Sequence, residues 1–431
     1  MTFMKSSRLL ILTAVFILAL AAGCQHQPAA ANTPANDSPA VSADQEPAAQ
    51  QEESSAPPAA SGGNGASDAS GGAPADPSKP VQSSEHAANE VAVGSVQFVS
   101  ATEGWTGGPG AVLHTKDGGK TWETQYQGAG SAQSFSFLNN QVGWAYVSPN
   151  REAGQAGKDG AQARLLHTGD GGAHWSAVAE AAPIGPDIRF ISEQEGFSGN
   201  QYTADGGKTW TALPIPANTK GEPFFLTKDQ GWAVTMKDSN YEIQLTKDGG
   251  KTWKPVWTHA TVSQVTGATI RSTESSDVWV LLVGETGMNQ TSYTLLHSKD
   301  EGKSWKPVVA NSTAGGGPAP GYKINEQAGP KGPGTKPGQL IVVNPQTAFL
   351  TGVCPPCSDM GAVTVGWTQD GGITWTNGEQ QLPGVEAEAS FIDGKQGWIV
   401  IRGYDKPSVL YRTQDGGKKW DAVHTFGKPA S

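Results

Sequence analysis

The feature that most constrains this chain is a short box, first met as His114-Thr115-Lys116-Asp117-Gly118-Gly119-Lys120-Thr121-Trp122. It recurs, with small changes, around Asp117, Asp170, Asp205, Asp248, Asp300, Asp370 and Asp415. Each Asp has Ser or Thr two residues before it and Gly two residues after it. Five residues after each stands a tryptophan: Trp122, Trp175, Trp210, Trp253, Trp305, Trp375 and Trp420. Self-similarity at this period marks a repeat architecture, in which one unit cannot bury its own apolar faces and must pack on its neighbours.

The boxes sit in a common grammar. An alternating apolar strand comes first, then a Gly-Trp-type second strand, a third strand entering the box, and a fourth opened by the box Trp. The first unit reads Val96-Gln97-Phe98, Gly104-Trp105, Val112-Leu113 and Trp122; the last reads Phe391-Ile392, Gly397-Trp398, Val409-Leu410 and Trp420. No long stretch keeps a helical apolar period, and Gly 56 and Pro 29 supply many turns. Together these predict an all-β fold over residues 90–431: a seven-bladed β-propeller of four-stranded antiparallel blades. Closure by a strand from residues 90–93 and closure by packing alone are both compatible with the sequence.

Hairpin physics explains the box. The Asp carboxylate can accept backbone N–H groups across the turn, and Gly permits the left-handed angles the turn needs. A Ca²⁺ loop would need several carboxylates, and each box offers one, so the boxes read as structural and no metal is expected.

Lys5 and Arg8 precede the apolar run Leu9–Leu20 and then Ala21-Ala22-Gly23-Cys24. This is the pattern of an export signal, residues 1–23, and its end resembles a bacterial lipobox with Cys24 as the acylated residue. Two acyl chains would anchor the chain stably. Residues 24–89 are rich in Ala, Pro, Ser and Gly and contain no aromatic residue, so they are expected to form a disordered tether. The expected location is the outer face of a bacterial membrane, within the cell envelope.

Paired Gly, box Asp and box Trp identify Asp-box (BNR) repeats, as in sialidases, sortilin-like receptors and large xyloglucanases. With the Gly-Trp second strands, residues 94–427 most resemble the photosystem II stability/assembly-factor family, which includes bacterial lipoproteins. That resemblance implies structural boxes on outer hairpins and assembly-factor-like work on membrane proteins.

Individual residues argue against other functions. A formal charge of −10 with only seven arginines argues against nucleic acid as a partner. A sialidase needs three converging arginines. Arg151, Arg164, Arg189, Arg271, Arg402 and Arg412 lack the Arg-Ile-Pro context of that family. A two-carboxylate glycoside hydrolase, sialidase- or xyloglucanase-like, is the alternative function, with Asp187, Glu274, Asp277 and Glu285 near strand ends. His114, His167 and His297 precede boxes where other units carry Tyr202, Leu245, Trp367 and Arg412, which excludes a shared metal site there. Cys354-Pro355-Pro356-Cys357 reads as a loop disulfide in an exported protein, with a redox role or free or metal-bound thiols as alternatives.

Insertions mark the working face. Extra residues follow second strands (Ser148–Gln162, Gly284–Thr291, Cys354–Gly361, Gly403–Ser408) and join units (Lys254–Gly267, Pro307–Gly338). In an up-and-down meander these loops open on one face and the boxes on the other, and one-sided insertion points to binding. The longest insertion carries the candidate partner-binding residues Tyr322, Lys323, Lys331 and Lys336. The expectation is a monomeric, non-catalytic scaffold without cofactor that binds a protein or glycan of the cell envelope.

Overall fold

The computed structural model describes residues 91–149, 163–179, 183–323, 326 and 329–427. The export signal, Cys24, the 24–89 tether, Arg151 and insertion residues 150–162 lie outside the described residues. Every sheet is antiparallel and built from strands consecutive in sequence, as expected when short alternating segments are separated by Gly-containing turns. The box-bearing turns open on one face, and the loops joining second to third strands open on the other.

The expectation of seven separate four-stranded blades is corrected. The described residues form six blades, each a continuous sheet: one of six strands, four of four, and one of five. The first two boxes share the six-stranded sheet. Its strand Glu123–Phe137 pairs with Gly104–Thr115 through Val112↔Tyr126 and with Gly143–Ser148 through Phe135↔Ala145. The link between these two units is only Gly128-Ala129-Gly130, and the strand runs through it with Gly130 at φ 99°. A flexible glycine absorbs the bend there, so no loop separates the units.

A repeated aromatic contact joins successive units. The second-strand ring of one unit stacks on the Phe ending the first strand of the next. Trp105 lies on Phe137 at 3.6 Å, Trp144 on Phe190 at 3.7 Å, Phe349 on Phe391 at 3.6 Å, and Trp398 on Phe98 at 3.8 Å. The box Trp then meets the same Phe edge-on, as Trp122 meets Phe98 at 80° and Trp175 meets Phe137 at 90°. Face and edge contacts use the ring quadrupole favourably. The pattern lapses after Trp232 and Trp279, because the strands Gly267–Arg271 and Lys336–Asn344 contain no Phe. Trp279 stacks instead on His297 at 3.7 Å.

Closure uses hydrogen bonds and packing. Gly427 N–H donates to the Val91 carbonyl at 3.1 Å, and the Ser408 hydroxyl to the Val93 carbonyl at 2.9 Å. Val93, Phe98, Leu113, Trp398 and Leu410 form one buried cluster between the last and first sheets.

The boxes have a shared geometry. In the third, Asp205 accepts the Thr203 hydroxyl at 2.8 Å, the Thr209 N–H at 2.9 Å and the Thr209 hydroxyl at 2.6 Å. Trp210 closes the turn by donating its indole N–H to Gly207 O at 3.0 Å. The Thr209 hydroxyl and N–H hold the Asp205 carboxyl down to about 2, against an ordinary 3.8. A depressed carboxyl stabilises the fold above its unfolded value, and that contribution is lost as pH falls through its folded value. Thermal midpoints are therefore expected to fall between pH about 4 and about 2, and Asp205→Asn should flatten its share of that slope.

Candidate functional site: an aromatic cavity beneath the longest insertion

The described residues of the longest insertion are stitched to the scaffold at several points. Ser263 Oγ donates to Pro318 O at 2.8 Å, Thr294 Oγ1 to Pro320 O at 2.8 Å, and Gly321 N–H to Thr261 Oγ1 at 3.1 Å. Further on, the Tyr293 phenol donates to Pro333 O at 3.0 Å and Thr335 N–H to Val353 O at 2.9 Å. Burial pushes the Tyr293 phenol up, well clear of ionisation. A loop with this many internal partners is part of the built structure.

Beneath it lies a cavity of about 390 Å³. One wall comes from the hairpin of Asn240–Thr246 and Lys254–Ala260, an edge strand. Tyr241 sits opposite His259 in the register, and Trp257 stands two residues from His259 on the same side of its strand. Tyr241 and His259 have ring centroids 5.7 Å apart with planes at 25°; for Trp257 and His259 the values are 5.8 Å and 17°. The facing wall is Leu296, Trp305 and Pro307, and Tyr322, Lys323 and Glu326 form the lip. Burial raises the Tyr241 phenol to about 12, and burial and then Glu326 raise that of Tyr322.

Two of the four candidate partner-binding residues, Tyr322 and Lys323, thus line the cavity. The other two lie along the same insertion. Lys331 gives its carbonyl to Asn377 Nδ2 at 2.9 Å, and Lys336 Nζ donates to Met288 O at 3.3 Å. Cys354 and Cys357 are joined by a disulfide with Cα atoms 5.4 Å apart, one residue beyond the Val353 carbonyl that anchors Thr335. Three loops of this face expose large apolar side chains: Met288 at 91%, Met360 at 40% and Tyr404 at 74%. Sequence reading missed the ring wall, although Trp257 is one of only two Trp outside the box and second-strand positions.

A second group of charges sits where first strands converge. Arg271 pairs with Asp187 at 3.5 Å and Arg402 with Glu386 at 2.6 Å. The Arg189 guanidinium lies 5.0 Å and 4.7 Å from the ring centroids of Phe197 and Phe224, and burial lowers it to about 10. Burial raises the Glu388 carboxyl to about 7; Arg402 opposes the rise and Asp187 adds to it. The carboxylates singled out from sequence do not converge there as a set. Asp277 is buried against His297, Glu274 accepts the Ser276 hydroxyl at 2.9 Å, and Glu285 is the penultimate residue of the strand Val278–Thr286. Among the described residues no group of three His, Cys, Asp or Glu is placed to hold a metal ion. A carboxyl raised by burial destabilises the fold once it ionises, so stability falls as pH rises from its unfolded value through about 7. Glu388→Gln should match wild type near pH about 4 and unfold at a higher temperature near pH about 8, read by calorimetry.

The sequence model of the BNR/Asp-box repeat matches residues 201–212, the third box. The chain is similar to the photosystem II assembly protein Ycf48 of Synechococcus sp. (strain JA-2-3B'a(2-13)), 26% identical over 274 residues. That alignment spans 56% of this chain and 77% of the relative. Among solved structures, "YCF48 bound to D1 peptide" is 20% identical with a TM-score of 0.43, covering 79% of this chain and 94% of that one. The Niastella koreensis GH74 enzyme is 12% identical with a TM-score of 0.34, covering 78% and 66%. The chain is an Asp-box-repeat β-propeller that resembles the photosystem II assembly factors.

Proposed function

We propose that this chain is a non-catalytic binding propeller that holds a segment of an envelope protein, in the manner of an assembly factor, in the cavity beneath its longest insertion. The observation that carries this reading is the cavity itself: an aromatic wall of Tyr241, Trp257 and His259, roofed by a loop pinned to two sheets. The similarity to an assembly protein over 274 residues supports it as analogy. The exposed Met288, Met360 and Tyr404 on the same face extend the contact area, and methionine adapts well to partner surfaces. Anchoring through Cys24 and the 24–89 tether belongs to the same proposal and would hold the propeller as a monomer near membrane-protein clients.

In-cell crosslinking followed by mass spectrometry tests this reading. Wild type should capture a discrete partner, and Trp257→Ala or Tyr322→Ala should lose it when each is assayed well below its thermal midpoint. Capture that survives both substitutions would move the site elsewhere.

One observation favours a second reading, a glycoside hydrolase: the raised Glu388 carboxyl electrostatically coupled to Asp187 has the character of a general acid beside a carboxylate. Turnover of a fluorogenic glycoside by wild type, lost in Glu388→Gln, would establish hydrolysis. No turnover across a broad panel would leave binding as the function.

A further inference from the structure

We infer that the cavity accepts an extended, proline-bearing peptide segment of no net charge. This rests on the reading of the cavity as the partner site and adds the chemistry of what enters it. The His259 ring plane lies 25° from that of Tyr241 and 17° from that of Trp257, with centroids 5.7 and 5.8 Å apart. Flat aromatic faces suit pyrrolidine rings, and aromatic-lined grooves recognise polyproline segments in this way.

Several polar groups of the wall are engaged within the protein. Thr261 Oγ1 donates to Ser263 O at 2.7 Å and accepts from Gly321 N–H, and Thr294 Oγ1 donates to Pro320 O. The Tyr241 hydroxyl accepts from Trp257 Nε1 at 3.4 Å, and His259 Nδ1 bonds Ala260 O at 2.8 Å. A sugar ring buried against these engaged atoms would leave some of its hydroxyls without partners, which weakens binding. Proline has no N–H to satisfy and brings a preset backbone angle, so it fits an apolar wall at low entropic cost. The charges at the lip balance, with Lys323 against Glu326. They complement a neutral segment, offering a donor to a flanking carbonyl and an acceptor to a flanking N–H.

Calorimetric titration of the full chain with an oligoproline peptide, a Gly/Ser/Ala peptide of equal length and a neutral oligosaccharide tests the inference. Oligoproline should bind, with the Gly/Ser/Ala peptide and the oligosaccharide weaker by about tenfold or more. Trp257→Ala should weaken oligoproline by a similar factor, and Trp257→Phe should restore much of it. Equal binding of both peptides, each weakened by Trp257→Ala, would overturn the proline preference while leaving the partner-site reading intact. Oligosaccharide binding tighter than oligoproline, or no oligoproline binding up to its solubility limit, would also overturn it. Oligoproline binding indifferent to both Trp257→Ala and Tyr322→Ala would overturn the inference and the site together.

Discussion

Trp398→Ala is expected to lower the unfolding free energy by about 3–5 kcal/mol, the range for emptying a fully buried aromatic site. Trp398 is 0% exposed, lies flat on Phe98 with planes 6° apart, and donates its indole N–H to Gly118 O at 3.0 Å. Phe98 and Gly118 belong to the first unit and Trp398 to the last, so this side chain joins the chain's two ends. Trp105 makes the equivalent stack on Phe137, but both residues lie within one continuous sheet. Its loss should therefore leave that junction held by backbone pairing. Denaturant unfolding followed by far-UV and tryptophan signals distinguishes the two: Trp398→Ala should be the more destabilised and should unfold less cooperatively. Equal losses would mean that closure does not depend on this stack.

Asp277→Ala is expected to cost about 3–4 kcal/mol, the penalty for leaving half of a buried ionisable pair without its partner. The side chains of His297 and Asp277 are each 1% exposed and meet at 2.6 Å. His297 Nδ1 donates to Gly371 O at 3.0 Å, in the box of the next sheet, while its ring stacks on Trp279. Here a polar pair takes over the unit-to-unit contact that a Phe makes elsewhere, because the following first strand has none. Asp277→Asn keeps a hydrogen-bonding group and should give an intermediate loss, read from equilibrium unfolding. A loss of Asp277→Ala below about 1 kcal/mol would show that water replaces the carboxylate readily.

Much of the scaffold is legible in the sequence because its signals are local. Asp205, Thr209 and Trp210 lie within six residues, so the turn chemistry and the strands on either side follow from spacing alone. The same holds for the Gly-Trp second strands; the aromatic stacks they make join residues far apart in the chain. The blade count fails for an equally local reason. Gly128-Ala129-Gly130 looks like a unit boundary, yet glycine lets one strand continue through it and pair on both sides.

The sites are less legible because their members are distant in the chain. Tyr241 comes to the cavity from a strand and Tyr322 from the long insertion some eighty residues on, and Glu388 is coupled to Asp187 across some two hundred positions. No periodicity encodes those meetings; the meander geometry creates them. One-sided insertion was the usable signal, and it led to Tyr322 and Lys323 but not to the wall they face.

The most direct test of the division between a box scaffold and an opposite working face is partner capture measured beside thermal unfolding for Trp257→Ala and Asp205→Ala. Trp257→Ala should lose capture even when assayed well below its unfolding midpoint. Asp205→Ala should unfold at a lower temperature yet capture normally when assayed well below it. Capture lost through the box and retained without the cavity tryptophan would contradict that division.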